Sequence, residues 1–138
     1  MEEKIRQALI KKPHSTELQS ALADILLEKK AYRQAKLLYQ QVLQGNPNNV
    51  TALNNLAWLY ATTKNAPPGA KKRSLALSLK AAAIKQKPFI LDTLAEAYFI
   101  NGEKEKALQA IEAAIALHPD NIDYYISQRQ KFIKNESR

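Results

Sequence analysis

Two carboxylate pairs, Asp24 with Glu28 and Asp92 with Glu96, are each spaced four residues apart, which sets both side chains on one face of a helix. Such a pair could serve as general acid and base, as in glycoside hydrolysis. That chemistry also needs pocket-forming loops or oxyanion donors, and neither accompanies these residues, so the pairs are read as charged helix faces. His14 and His118 each adjoin a proline, Pro13 and Pro119, in turn-forming sequence. They give no local support to a nucleophile–base pair or a two-histidine metal site. Gly45, Gly69 and Gly102 stand alone, which excludes a glycine-rich phosphate loop. There is no cysteine, hence no disulfide, thiolate zinc site or thiol nucleophile, although the redox compartment stays open. No enzyme activity, metal or cofactor is expected.

Basic residues cluster differently. From Lys64 to Lys87 there are seven, Lys64, Lys71, Lys72, Arg73, Lys80, Lys85 and Lys87, with no acid among them. A basic run suits nucleic acid or an anionic lipid surface, but base-stacking aromatics are not interleaved here, which favours a solvated face. The net charge of +8 and pI near 9.7 speak to association rather than fold.

The elements that carry these residues are helices. Six Pro and three Gly among 138 residues, with abundant Ala, Leu, Lys and Gln, favour helix over strand. The length suits one domain with a continuous core. The longest apolar runs, such as Ala81 to Ile84 and Ala113 to Leu117, are far too short to span a bilayer. Met1 to Lys12 lacks the unbroken apolar segment of a secretory signal. The compartment is cytoplasmic by default, or periplasmic if the chain derives from a longer precursor.

A repeat organises the chain. Leu22–Ala23, Leu56–Ala57 and Leu94–Ala95 are the same dipeptide three times, followed by Leu26, Tyr60 and Tyr98 at the third residue after the alanine. A further alanine recurs at Ala35, Ala76 and Ala107, each 12 residues before a proline, Pro47, Pro88 and Pro119. Leu22 to Leu56 is 34 residues and Leu56 to Leu94 is 38. This alignment puts seven extra residues in the middle turn, the breaker-rich stretch from Thr62 to Gly69, and removes three from the following linker. Ala23, Ala57 and Ala95 let the second helix of each hairpin approach, and Ala35, Ala76 and Ala107 answer from the other side. Leu22, Leu56, Leu94, Tyr39, Tyr60 and Tyr98 fill the space around them. Gly102 permits a left-handed turn, and Thr16 with Gln19 is expected to form a capping box.

This pattern resembles the tetratricopeptide repeat family, with its 34-residue unit of two helices and closing proline. The fullest match is LDTLAEAYFINGEKEKALQAIEAAIALHP, and the middle repeat, NNLAWLYATT with its long turn, is similar to a variant of bacterial arrays. Departures are Ala for the family's small Gly, Lys30 where Gly102 stands in the last repeat, and Lys80 for the second-helix aromatic. The resemblance implies an all-α, right-handed α-solenoid of helix-turn-helix repeats: residues 1–13 a half repeat, 14–47 a repeat, 48–88 a repeat with a long turn, 89–119 a repeat, and 120–138 a capping helix. The half repeat rests on Ile5 and Ala8, which align with a second helix. The cap, Asn121 to Lys134, would pack Tyr125, Ile126, Phe132 and Ile133 and leave Arg129, Lys131 and Lys134 to solvent.

First helices line the concave side of such an array, so the resemblance implies a groove of Glu17, Asp24, Glu28, Asn54, Asn55, Trp58, Thr62, Asp92, Glu96 and Phe99. Trp58, the only tryptophan, either faces this groove as an anchor or packs against the next first helix. Lys71, Lys72, Arg73 and Lys80 fall on the convex side. The carboxylate clamp of some family members needs Lys, Asn, Asn, Lys and Arg where this chain has Ser20, Asp24, Asn55, Phe89 and Thr93. Only Asn55 agrees, and Asp24 would repel an acidic peptide terminus. The expected function is a scaffold for a protein or peptide partner bearing apolar and basic residues. The alternatives are a basic module on nucleic acid or anionic membrane, or a regulatory domain cut from a larger enzyme.

Overall fold

A computed structural model describes residues 1–135. Among these the secondary structure is entirely helical: α1 (Glu2–Lys11), α2 (Thr16–Glu28), α3 (Tyr32–Gly45), α4 (Val50–Thr62), α5 (Ala70–Ile84), α6 (Pro88–Ile100), α7 (Lys104–Ala116) and α8 (Ile122–Ile133). None is long and apolar enough to cross a membrane. The fold class is an all-α helical-repeat, or α-solenoid, fold. The chain divides into two compact units, Met1–Leu56 and Ala57–Arg138, so the division falls inside α4.

In the first unit, α2 packs on α3 and α1 on α2. The α2–α3 core consists of Leu22, Ala23 and Leu26 with Ala35, Tyr39 and Val42, all buried. Ala23 and Ala35 have no exposed surface, and their small size lets the larger Tyr39 and Val42 fill the interface at i+4 and i+7 from Ala35. Burying one such large side chain contributes about 1.5–3 kcal/mol, whereas enlarging Ala23 to Leu would cost about 1–3 kcal/mol in overpacking. The cap of α2 differs from the expected Thr16–Gln19 box. Ser15 is the N-cap and its Oγ accepts from Leu18 N at 3.3 Å. The Gln19 amide turns back to donate to Pro13 O at 2.9 Å. Ser15 takes the role because it is the last extended residue before the helix, where a side-chain oxygen can reach the orphan amides. Glu2 ties α1 to the end of α2, accepting from Lys29 Nζ at 2.6 Å and from Arg6 Nε at 2.9 Å. These two bonds, Lys29 first, hold its carboxyl below the usual range.

In the second unit, α6 packs on α7, α5 on α6, and α7 on α8. The α6–α7 core repeats the logic of α2–α3: Leu94 and Ala95 are buried with Ala107, Ile111 and Ala114. Residues 63–69 form the turn between α4 and α5, and Gly69 adopts φ 87° as the residue before α5, a conformation open to glycine at little cost. The Asn101 amide donates to Lys71 O at 2.9 Å and Ala97 O at 2.7 Å, which fixes the start of α5 against the end of α6.

One register differs from the sequence alignment. Ala76 is exposed, while the buried residues of α5 are Ala70, Ser74, Ser78, Ala81 and Ala82. Ser74 Oγ donates to Ala57 O at 2.8 Å, so Ser74, and not Ala76, stands opposite Ala57. Ser78 then takes the place that Tyr39 and Ile111 hold in α3 and α7, and Lys80 is an exposed residue rather than a replaced core aromatic. The middle turn therefore gains five residues over the others, since Ala57 to Ser74 is 17 against 12 for Ala23 to Ala35. Small Ser side chains win this contact because their hydroxyls bond helix carbonyls, Ser78 Oγ donating to Leu75 O at 3.1 Å.

Candidate partner-binding surface

The residues expected along the first helices fall into two groups. In the first unit Glu17 and Glu28 are exposed on α2, and Asp24 is half-buried between them. The three follow at i, i+7 and i+11, along one line of the helix. Among the described residues no ion pair reaches any of them. Asp24 Oδ1 accepts the Tyr39 hydroxyl at 2.6 Å, and Asn55 Nδ2 donates to the same hydroxyl oxygen at 3.0 Å. The phenol thus bridges α2 and α4 from its seat on α3. Burial first, and the Asp24 carboxylate second, raise the Tyr39 pKa well above its ordinary value, so the hydroxyl stays a donor. Asn54, placed in the groove by sequence, is instead buried. Its amide donates to Asn55 Oδ1 at 3.4 Å, so it supports Asn55 rather than meeting a partner.

In the second unit Trp58 is half-buried on α4, one turn before the exposed Thr62, whose hydroxyl donates to Trp58 O at 2.8 Å. Asp92 and Glu96 are 5% and 2% exposed and are withdrawn from any partner-facing surface. The cause is α8. Tyr124 Oη donates to Asp92 Oδ2 at 3.1 Å, Tyr125 is buried, and the Phe132 ring lies 4.9 Å from that of Phe99. Burial, then the Asp92 charge, raise the Tyr125 pKa. Phe99 is therefore half-buried under α8 rather than open in a groove. Gln128, also buried on α8, was not singled out by the sequence. Its spacing of three from Tyr125 and four from Phe132 is the signal that would have placed it on the covered face.

The four basic residues Lys71, Lys72, Arg73 and Lys80 are all exposed on α5. The Arg73 guanidinium sits 6.0 Å from the centre of the Tyr60 ring, within cation–π range.

Two family models, both described as tetratricopeptide repeat, match residues 38–72 and 88–121, together half of the 138 residues. The chain belongs to the tetratricopeptide repeat family. Among solved structures it is similar to the tetratricopeptide repeat domain of Sgt2 from Aspergillus fumigatus, with 19% identity, 86% of this chain and 79% of that one covered, and a TM-score of 0.68. That likeness speaks for the fold. No curated protein matches the chain in sequence. As a tetratricopeptide repeat protein it carries a fold that generally mediates protein–protein interaction, and family members are typically scaffolds rather than enzymes.

Proposed function

We propose that this chain is a non-catalytic interaction scaffold that holds a peptide or partner helix bearing basic and apolar side chains on the open faces of its first helices. The observation that carries this reading is the acidic line of α2. Glu17, Asp24 and Glu28 lie in register on one helix with no cation paired to them among the described residues, although the chain as a whole has a net charge of +8. A partner's Lys or Arg would complement this line. Asn55, oriented by Tyr39, adds a neutral hydrogen-bonding group in the same unit. In the second unit the half-buried Trp58 supplies a large amphipathic surface of the kind that anchors interfaces.

The test is a pull-down with the full chain followed by peptide mapping. The mapped peptide should contain Lys or Arg interleaved with apolar residues. Its binding should fall with salt through the exposed Glu17 and Glu28 contacts but keep an apolar part that salt does not screen. Trp58→Ala should cost about 2 kcal/mol of binding or more, and the Glu17→Lys/Glu28→Lys pair should weaken it as well. Unchanged binding by both variants with helicity intact would refute the assignment of these faces.

A further inference from the structure

Positive charge is not spread evenly along this chain. From Lys29 to Leu91 inclusive there is no aspartate or glutamate, and there are eleven Lys and Arg. The flanking parts are close to neutral, with four basic against five acidic residues before and six against eight after. The net +8 is thus the property of the central segment, and in the second unit it is displayed on α5. Lys71, Lys72, Arg73 and Lys80 are exposed there, and Lys85 and Lys87 continue the series into the turn before α6. Among the described residues none of these six makes an ion pair. Lys106 in the same unit, by contrast, lies 3.6 Å from Glu103.

Apolar side chains stand among these cations. Leu79, Ile84 and Phe89 are 43%, 47% and 51% exposed. The buried line of α5 is Ala70, Ser74, Ser78 and Ala81, so by helical phase the opposite line is Lys72, Ala76, Leu79 and Ala83. Lys80 and Ile84 lie one turn apart beside it. The outer face therefore opens on Lys72, is apolar along its middle line from Ala76 to Ala83, carries Lys80 and Ile84 on its flank and ends on Lys85 and Lys87, with the lysine stems adding aliphatic surface. Charge alone would suit any polyanion. Nucleic acid would offer its phosphates to the lysines and could stack a base on Phe89 at the end of the face, but it has no use for the exposed Leu79 and Ile84. An anionic bilayer meets both features, headgroups taking the lysines and the upper acyl region taking the apolar side chains.

We propose that the outer face of α5, continued through the α5–α6 turn, docks on an anionic lipid bilayer. Lys72, Lys80, Lys85 and Lys87 engage the headgroups, and Leu79, Ile84 and Phe89 enter the boundary between headgroups and acyl chains. This goes beyond the scaffold reading, because it uses a surface separate from α2 and Trp58 and would bring a bound partner to a membrane.

The test is co-sedimentation of the full chain with phosphatidylcholine vesicles and with vesicles containing about 30% phosphatidylserine, near the anionic content that gives a membrane its surface potential. Binding is expected to the anionic vesicles only, falling tenfold or more for Lys80→Glu/Lys85→Glu and severalfold or more for Leu79→Ser/Ile84→Ser. All four substituted positions are exposed, so far-UV circular dichroism and unfolding midpoints should match the parent, which confirms that lost binding is not lost folding. A duplex DNA and a single-stranded RNA are titrated in parallel. Binding to nucleic acid without vesicle binding would overturn the proposal. So would vesicle binding that neither double variant weakens, or that the charge reversal abolishes while the Leu79→Ser/Ile84→Ser variant binds as the parent does. Retention of the mapped peptide by both variants keeps this result separate from the scaffold test.

Discussion

Replacing Ser74 and Ala76 in turn by leucine tests the register of α5 against α4. Ser74 has no exposed surface and its hydroxyl donates to Ala57 O at 2.8 Å, where Ala57 is likewise fully buried. Leucine here removes one buried hydrogen bond, about 1 kcal/mol, while Ala57 O keeps its own helical amide. It also forces a larger side chain into the closest approach of two helices, about 1–3 kcal/mol more. The expected loss for Ser74→Leu is therefore about 2–4 kcal/mol, or a fall in unfolding midpoint of roughly 10 °C for a chain of this size. Ser74→Ala, which keeps the space and loses only the bond, should cost about 1 kcal/mol. Ala76→Leu lies on solvent and should stay within about 0.5 kcal/mol of the parent. Thermal and urea unfolding followed by far-UV circular dichroism measure all three. If Ala76→Leu destabilises more than Ser74→Leu, the alanine is the packed residue, and the reasoning from the Ser74–Ala57 bond fails.

Tyr39→Phe removes the hydroxyl that joins Asp24 and Asn55, and should cost about 1.5–3 kcal/mol because one partner is ionised. Tyr39 has a raised folded-state pKa, so its contribution is fully present below the unfolded value near 10 and is lost as pH climbs through the folded value. The stability gap between parent and Tyr39→Phe should accordingly narrow above about pH 10; a gap that widens there would contradict the assignment. Phe132→Ala empties a fully buried site against Phe99 and should cost about 3–5 kcal/mol. Hydrogen exchange should show α8 opening first, and unchanged protection of α8 would argue against its packing on α6. Lys30 sits at φ 63° in the turn where the later hairpin uses Gly102 at φ 79°. Lys30→Gly relieves a left-handed penalty of about 1 kcal/mol or more against an added entropy cost of about 0.5–1 kcal/mol. A slightly higher unfolding midpoint is expected, and a clear loss would show that the lysine side chain holds the turn.

Much of the fold was legible because the repeat announces itself through residue size. Ala23, Ala57 and Ala95 are all fully buried, and only a small residue satisfies a close helix approach, so identity at those positions carries the information. The register of α5 was not legible for the converse reason. That helix offers Ala70, Ser74, Ala76, Ser78, Ala81, Ala82 and Ala83, any of which is small enough, and the longer turn before it hides the offset. Only packing against Ala57 selects among them.

The candidate surface divides in the same way. The sequence by itself determined the helices, the acidic line of α2 and the basic face of α5, because charge and helical phase are local properties. Tertiary structure alone decided that Asn54, Asp92 and Glu96 are covered while Glu17, Glu28 and Lys80 are open. Asp92 is withdrawn by a tyrosine 32 residues further along the chain. The burial of a polar side chain depends on which neighbour arrives over it, and no residue beside Asp92 in the sequence records that arrival.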